Sequence, residues 1–269
     1  MITREDFVIV KCENCDFHFT NPIPDEATIG DYYKSEKYIS HSSSNKGLIN
    51  KAYNVVRNIT LKQKVNLLKR LSKGNQLLDI GAGTGHFLQS AKNGGFVVKG
   101  LEPDADAKKY AQEAFNISLG DLSDISSLPS ASIDAITMWH VLEHVYHLKQ
   151  DISEFVRVLK SDGVLIIAVP NMSSWDAQHY KEFWAAYDVP RHLYHFQEKT
   201  IKTLMAQFSM ECIEILPMKF DAFYVSMLSE KYRGGNVVKG ILNGVKSNSR
   251  AKNHGFSSQI YVFRKKEAI

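Results

Sequence analysis

Between residues 76 and 171, short apolar runs alternate with stretches whose apolar positions recur three and four apart. Runs of the first kind read as buried strands and stretches of the second as amphipathic helices. Strands are predicted at 77–80, 96–101, 117–119, 133–139 and 164–169, with helices over 84–93, 104–115 and 148–159 between them. Punctuation agrees with these limits: Gly94-Gly95 stops the first helix, Asp162-Gly163 turns, and Pro170-Asn171 closes the fifth strand. A helix over 198–208 and strands at 212–216 and 259–263 bring the count to seven strands. Strand–helix alternation on this scale predicts a mostly parallel sheet with helices on both faces. The interval 217–258, with many glycines, serines and asparagines late in it, carries no clear period.

Upstream of residue 76 the pattern changes. Residues 46–71 place Leu48, Ile49, Ala52, Val55, Val56, Ile59, Val65, Leu68 and Leu71 near helical spacing, with lysines and arginines between them. One face of this helix is expected to dock on the sheet domain; lying on a membrane is the other use of a basic amphipathic helix. Asp25 is placed to cap a short helix reaching about residue 34, behind a boundary at Pro22 and Pro24. Residues 41–45, with three serines in a row, form a link. Tyr32, Tyr33 and Tyr38 fall where aromatic side chains either pack or fold over a pocket as a lid. The chain thus divides into an N-terminal segment (1–24), a helical cap (25–73) and the sheet domain (74–269).

Composition narrows the class. A chain of 269 residues can bury a large core, and 44% hydrophobic with 23% charged residues is ordinary for a globular enzyme. No apolar run approaches membrane-spanning length, and Arg4, Glu5 and Asp6 do not make the basic-then-apolar start of a secretion signal. Three scattered cysteines form no disulfide framework, so a reducing cytoplasm is the expected location. Cys12 and Cys15 make one C-x-x-C, half of a four-ligand zinc ribbon, with His18 a third donor and no fourth; no metal is assigned. The pair reads as the second half of a ribbon if the natural chain begins further upstream. Net charge is only +4, yet residues 38–78 hold no acid and residues 231–266 hold nine lysines and arginines and no acid. Such stretches are either solvated faces or a basic surface for an acidic substrate, nucleic acid or anionic lipid. Without a nucleic-acid-binding signature beside them, an anionic small-molecule substrate is the best of those three.

The densest chemistry lies at 77–85, Leu-Leu-Asp-Ile-Gly-Ala-Gly-Thr-Gly. An apolar strand reaches Asp79, glycine then takes every second position, and a helix follows. Bare backbone can lie against a ligand, and the helix start turns unsatisfied N–H groups towards the same place. A dinucleotide turn wants G-x-G-x-x-G, but the residue three after Gly83 is His86, so that pattern fails. The series Asp79, Gly81, Gly83, Gly85 resembles instead the first motif of the class I S-adenosylmethionine-dependent methyltransferases. Four further segments match that family in order: Glu102 closing the second strand, Asp121-Leu122 after the third, "IDAITMWHVLEHV" at the fourth and "LKSDGVLIIAVPN" at the fifth. The resemblance covers about 75–171 and continues more loosely to the C-terminus. The nearest branches are the ubiquinone-biosynthesis-like enzymes, which share "LEHV", and bacterial methyltransferases preceded by a cysteine ribbon.

The resemblance implies a Rossmann-like, doubly wound α/β fold, with a mostly parallel seven-stranded sheet whose last strand is antiparallel, plus the N-terminal helical cap. It implies S-adenosyl-L-methionine as cofactor, released as S-adenosyl-L-homocysteine. The implied cofactor contacts are Asp79, Gly81, Ala82, Gly83, Gly85, Glu102, Pro103, Asp121, Leu122, Trp139 and His140. Asp79 would help hold the ammonium, Glu102 the ribose hydroxyls through its two oxygens, and Asp121-Leu122 the adenine. An insertion at about 172–197 is where this family builds its substrate pocket, which points to Trp184, Tyr187, Arg191 and Tyr194, with Tyr33 and Tyr38 from the lid.

Methyl transfer from a sulfonium is an in-line displacement, so a protein mainly aligns the reactants and excludes water. Oxygen and nitrogen nucleophiles also need a base. His140, Glu143 and His144 have the spacing of one helix face, and His192 and His195 lie in the insertion. His140, His144, His192 and His195 are therefore the candidate catalytic residues. In some quinone-type relatives the Glu-His pair also holds a metal; capping and core hydrogen bonds are the preferred reading here. The implied function is methyl transfer to a small-molecule acceptor, first at oxygen, with carbon and nitrogen open. One alternative is a nucleic-acid or protein methyltransferase docking through the basic helix 46–73, although "VPNM" at 169–172 matches base-amine methylase motifs poorly. The other is a cofactor-binding protein without turnover.

Overall fold

The computed structural model describes residues 5–33 and 48–266, with the backbone alone for 48–53. Strands β1 (Val8–Lys11) and β2 (His18–Asn21) pair as a hairpin, and a 3-10 turn follows at Ile29–Tyr32. The Asp25 carboxylate does accept the Ala27 N–H at 2.9 Å, but the helix expected behind it is this single turn. Helix α1 (Leu48–Leu71) leads into the alternation β3 (Gln76–Ile80), α2 (His86–Asn93), β4 (Val97–Leu101) and α3 (Ala105–Phe115). It continues through β5 (Ile133–Trp139), α4 (Leu148–Val158) and β6 (Leu159–Pro170). After these come α5 (Trp175–Tyr180), β7 (Tyr194–His195), α6 (Glu198–Ala206), β8 (Met210–Pro217), α7 (Asp221–Tyr232), α8 (Val237–His254) and β9 (Ser258–Lys265).

The main sheet has six strands in the order β4-β3-β5-β6-β9-β8. The first four are parallel, and β9 runs antiparallel between β6 and β8. This is the doubly wound α/β class, with one correction. The strand expected at 117–119 contributes only a single bridge, Leu101 to Gly120. Left-handed Asn116 (φ 51°) precedes it and a 3-10 turn at Leu122–Ser127 follows, which leaves too little extended chain to pair. A second difference lies at Asp162-Gly163, which sits within a longer β6 that passes an irregularity in its pairing between Ile133 and Ala135.

Alternation along the strands sends side chains to two apolar layers. Leu78, Ile80, Ile136, Met138, Leu165 and Ile167 meet α4 and α6 on one face, while Leu77, Ala135, Val164, Ile166 and Ala168 meet α1 and α2 on the other. Each large side chain buried in this way contributes about 1.5–3 kcal/mol. Helix α1 docks through Val65, Leu68 and Leu71 in its C-terminal half, whereas Val55 and Ile59 remain exposed. The N-terminal hairpin is stitched by β2 to β7 as a three-stranded sheet, so it packs on the 172–197 segment. Among the described residues, no helix is long and apolar enough to cross a membrane.

Candidate active site

The glycine turn is hooked to the end of the neighbouring strand. The N–H groups of Gly81 and Ala82 donate to the Leu101 carbonyl at 2.8 and 3.0 Å. Gly81, Gly83 and Gly85 take φ values of 66°, 52° and 77°, a region that costs side-chain-bearing residues roughly 1–2 kcal/mol. A Cβ on Gly81 would stand 2.4 Å from Cγ2 of Val141, whereas one on Gly83 would meet nothing within 4 Å. Gly81 is required by packing; Gly83 faces open space. Glu102, at the end of β4, braces the turn by accepting the Gly83 N–H at 2.7 Å on one oxygen and the Asp104 N–H at 3.0 Å on the other. Burial raises its pKa against the pull of those two donors, and each oxygen keeps a second lone pair.

Asp79 lies beneath the turn, paired in register with Thr137, whose hydroxyl donates to it at 2.5 Å. Lys64 of α1 places its ammonium 4.1 Å from the centre of the Trp139 ring. Burial pushes the Asp79 carboxyl up and the Lys64 ammonium down; the Thr137 hydrogen bond resists the first shift, and attraction between the two resists both. Trp139 Nε1 is buried without a partner. A buried carboxylate, an unsatisfied indole donor and open backbone together suit a ligand with an ammonium and polar groups, while Lys64 holds the Trp139 face. These residues fit S-adenosylmethionine. Ala82 is buried beside them, while Pro103 is exposed ahead of Asp104, which caps α3. Asp121 is largely exposed and ion-paired with Lys108, and Leu122 packs against the core as the 3-10 turn begins.

Beyond β5 the chain bends at His140, whose φ is 60°. The helix face expected to carry His140, Glu143 and His144 is this bend plus one 3-10 turn at Leu142–His144, so the two histidines take different partners. His140 Nε2 lies 2.9 Å from Oδ2 of Asp221, and Nδ1 lies 3.3 Å from Oε1 of Glu143. Burial disfavours the imidazolium, but the Asp221 hydrogen bond and the charges of both carboxylates outweigh it and raise His140 to about 10. Asp221 opens α7, inside the interval where the sequence shows no period, so nothing local marks it as a site residue.

His144 Nδ1 is 2.9 Å from the Tyr33 hydroxyl and 2.9 Å from the Arg191 carbonyl. The Arg191 guanidinium lies 5.6 Å from the Tyr33 ring centre and pairs with Asp188. The ring of His192 packs 4.6 Å from that of His144, and its Nδ1 is held by the Ala186 carbonyl at 2.9 Å. Burial and the charges of the neighbouring histidines hold His192 neutral, well below its ordinary range. Glu143, His144 and His192 offer ligand atoms within 4.8 Å of one another, and the buried Glu143 carboxylate also faces His140 at 3.3 Å. Such donors could hold a divalent cation.

Other insertion residues are committed to packing. Trp184 is 2% exposed and its indole N–H donates to Asp176 at 2.8 Å. Asp176 also accepts from Ser247 and Ser257 at 2.7 and 2.6 Å, which makes it a buried hub that no sequence signal announces. His195 Nε2 meets the Thr20 hydroxyl at 3.0 Å, and burial lowers its pKa to about 4. Tyr187 sets its ring edge-on to both Trp184 and His195, and Tyr194 lies against Phe17. The space among Met172, Trp184, His192 and His195 leaves no room for a water molecule. The structure therefore gathers Tyr33, His144, Arg191 and His192, and places Trp184 and His195 in the packed interior. Tyr38 lies outside the described residues.

The fold and this strand-end site define a class I S-adenosylmethionine-dependent methyltransferase. The chain belongs to the methyltransferase-domain family, which it matches over residues 56–215. A probable S-adenosylmethionine-dependent methyltransferase of Mycolicibacterium smegmatis is 30% identical over 101 residues, 36% of this chain and 39% of that one. The malonyl-[acyl-carrier protein] O-methyltransferase of Serratia marcescens is 29% identical over 144 residues, 52% of this chain and 55% of that one. The chain thus spans about half or less of these relatives' length. A putative sarcosine dimethylglycine methyltransferase of Galdieria sulphuraria shares the fold with a TM-score of 0.55 at 15% identity, over 82% of this chain and 89% of that one.

Proposed function

We propose that this chain transfers the methyl group of S-adenosylmethionine to oxygen of a small, anionic acceptor. The observation that carries this reading is the open glycine turn, with Asp79 and Trp139 beside it, next to a histidine held charged by Asp221 and Glu143. When bound, the cofactor supplies an electrophilic methyl carbon on a positively charged sulfur. Asp79 and the 81–85 backbone would hold its amino-acid end, Glu102 and Pro103 the ribose, and Asp121-Leu122 the adenine. His140 follows Trp139 directly and, raised to about 10, carries its proton at neutral pH. Both of its N–H groups face carboxylates, Asp221 and Glu143, so it stands as a fixed positive charge beside the strand end and not as a base in its resting state. A carboxylate acceptor arrives deprotonated and needs no base, and the Arg191 guanidinium, paired with Asp188, lies beside the Tyr33 ring. For a hydroxyl acceptor, His144 and His192 are the remaining candidate bases, with His195 tied to Thr20. The Serratia relative, by its name an O-methyltransferase, supports oxygen as the atom methylated. The test is incubation with methyl-labelled cofactor and separate pools of small carboxylates, phenols and amines. Label in an ester or ether is the expected result; label confined to amines, or to added protein or RNA, overturns the reading.

A further inference from the structure

Helix α8 is built inside out. Gly240, Asn243, Gly244, Ser247 and Ala251 form its buried face, while Val237, Val238, Ile241, Leu242 and Val245 are 45% to 67% exposed. The inversion has a structural cause. A Cβ on Gly240 or Gly244 would stand 2.6 or 2.9 Å from the Cα atoms of Met227 or Phe223, so the two glycines let α8 lie directly on the α7 backbone. Asn243 donates to Glu230 at 3.0 Å and to the Tyr180 hydroxyl at 2.8 Å, and Ser247 donates to Asp176 at 2.7 Å. Polar and small residues thus hold the helix down, and none of the aliphatic side chains on the outer face is needed to do so.

The outer face has two further properties. At 100° per residue, positions 237, 238, 241, 242 and 245 form one stripe opposite the buried face, with Lys239, Lys246 and Arg250 along its edge. Lys231, Arg233 and Lys252 are also exposed on or beside this pair of helices, and residues 231–266 contain no acid. The stripe continues into an apolar groove of about 410 Å³ between Tyr224, Met227, Leu228 and Val237. An exposed aliphatic stripe flanked by cations on one side is the pattern of a helix that lies in a bilayer interface. Self-association through the same face would bring like charges together, which disfavours a second copy as the occupant.

We propose that the α7–α8 pair is a docking surface for an anionic phospholipid bilayer, with the α8 aliphatic stripe entering the headgroup boundary and the flanking lysines and arginines meeting lipid phosphates. Asp221, at the start of α7, joins this surface to the His140 side of the candidate active site, so docking would place that site close to the membrane. The inference stands on surface composition and packing and is independent of which acceptor is methylated.

The test is co-sedimentation of the full chain with vesicles of phosphatidylcholine alone and of phosphatidylcholine with phosphatidylglycerol. Binding to the anionic vesicles at least about ten-fold tighter than to the neutral ones, and weakened by salt, is expected. Each cation near an anionic surface strengthens binding on the order of five-fold, so Lys239→Glu with Lys246→Glu should weaken it more than about twenty-fold. Val238→Asp with Leu242→Asp should abolish it, with the melting temperature and S-adenosylmethionine affinity unchanged in both variants. No binding to either vesicle type, or binding indifferent to both double variants, overturns the proposal. So does a concentration-dependent dimer that Val238→Asp with Leu242→Asp dissolves in the absence of vesicle binding.

Discussion

At the ends of β3, β4 and β5 the backbone is bare, with three glycines in left-handed conformations, space beside Gly83 and a buried indole N–H without a partner. Across the 172–197 segment, the residue types that look most chemical have their groups already engaged. Trp184 is bonded to Asp176 and His195 to Thr20. Residues 172–197 are dense in aromatic, acidic and basic side chains, so density alone does not mark a site. What separates the two regions is unsatisfied capacity: one region leaves donors, acceptors and volume over, and the other uses nearly all of them internally.

The largest expected effect falls on the packed region. Trp184→Ala removes a buried indole and leaves Asp176 short of a donor, and should destabilise the fold by about 3–5 kcal/mol in urea titrations. S-adenosylmethionine affinity of the folded fraction should stay within about three-fold; a selective loss of affinity without loss of stability would put Trp184 in the site. Acid should then expose the same region. The folded pKa of His195 is depressed from 6.5 to about 4, so the unfolded chain takes up the proton first as pH falls. Its contribution is complete above pH 6.5 and lost between there and about 4, on the order of 3 kcal/mol at 1.4 kcal/mol per unit. His195→Asn should flatten that part of the stability-versus-pH curve, and an unchanged slope would contradict the assignment.

On the open side the effects should be kinetic. Asp221→Asn removes one of the two carboxylates that keep His140 charged, so the imidazole should titrate well below its present value of about 10 by NMR. Turnover should fall on the order of 100-fold, with cofactor affinity nearly intact. Unchanged turnover would move the chemistry away from His140. Smallest of all is the surface pair of Lys108 and Asp121: Lys108→Ala should change stability by less than about 0.5 kcal/mol, because Asp121 is 64% exposed and screened. A loss of several kcal/mol there would mean that the loop is structurally stiffer than its exposure implies.

Much of the sheet domain was legible in the sequence because buried parallel strands and amphipathic helices have strong periods, and the 133–139 strand falls where the pattern places it. Asp79 and the glycine turn were legible because a left-handed turn against a ligand leaves few residue choices. Three features were not. The short 117–119 segment has strand composition, but pairing depends on its neighbours, and Asn116 and the following turn prevent it. Helix α8 carries small and polar residues inward and aliphatic ones outward, which hides it from any reading that expects the apolar face to be buried. Asp221 and Asp176 act through partners 81 and 71–81 residues away, a relation that exists only once the chain is folded.

The central claim is that the turn at Gly81–Gly85 receives S-adenosylmethionine, and its most direct test is calorimetric titration of the wild-type chain and of Gly83→Val with S-adenosylmethionine and with NAD. One-to-one binding of S-adenosylmethionine to the wild type, no measurable binding of NAD, and at least about a hundred-fold loss in Gly83→Val, with the fold retained and stability lowered by the roughly 1–2 kcal/mol that a side chain costs at φ 52°, are the predicted results. Preferential NAD binding, or S-adenosylmethionine binding indifferent to a side chain at position 83, would contradict it.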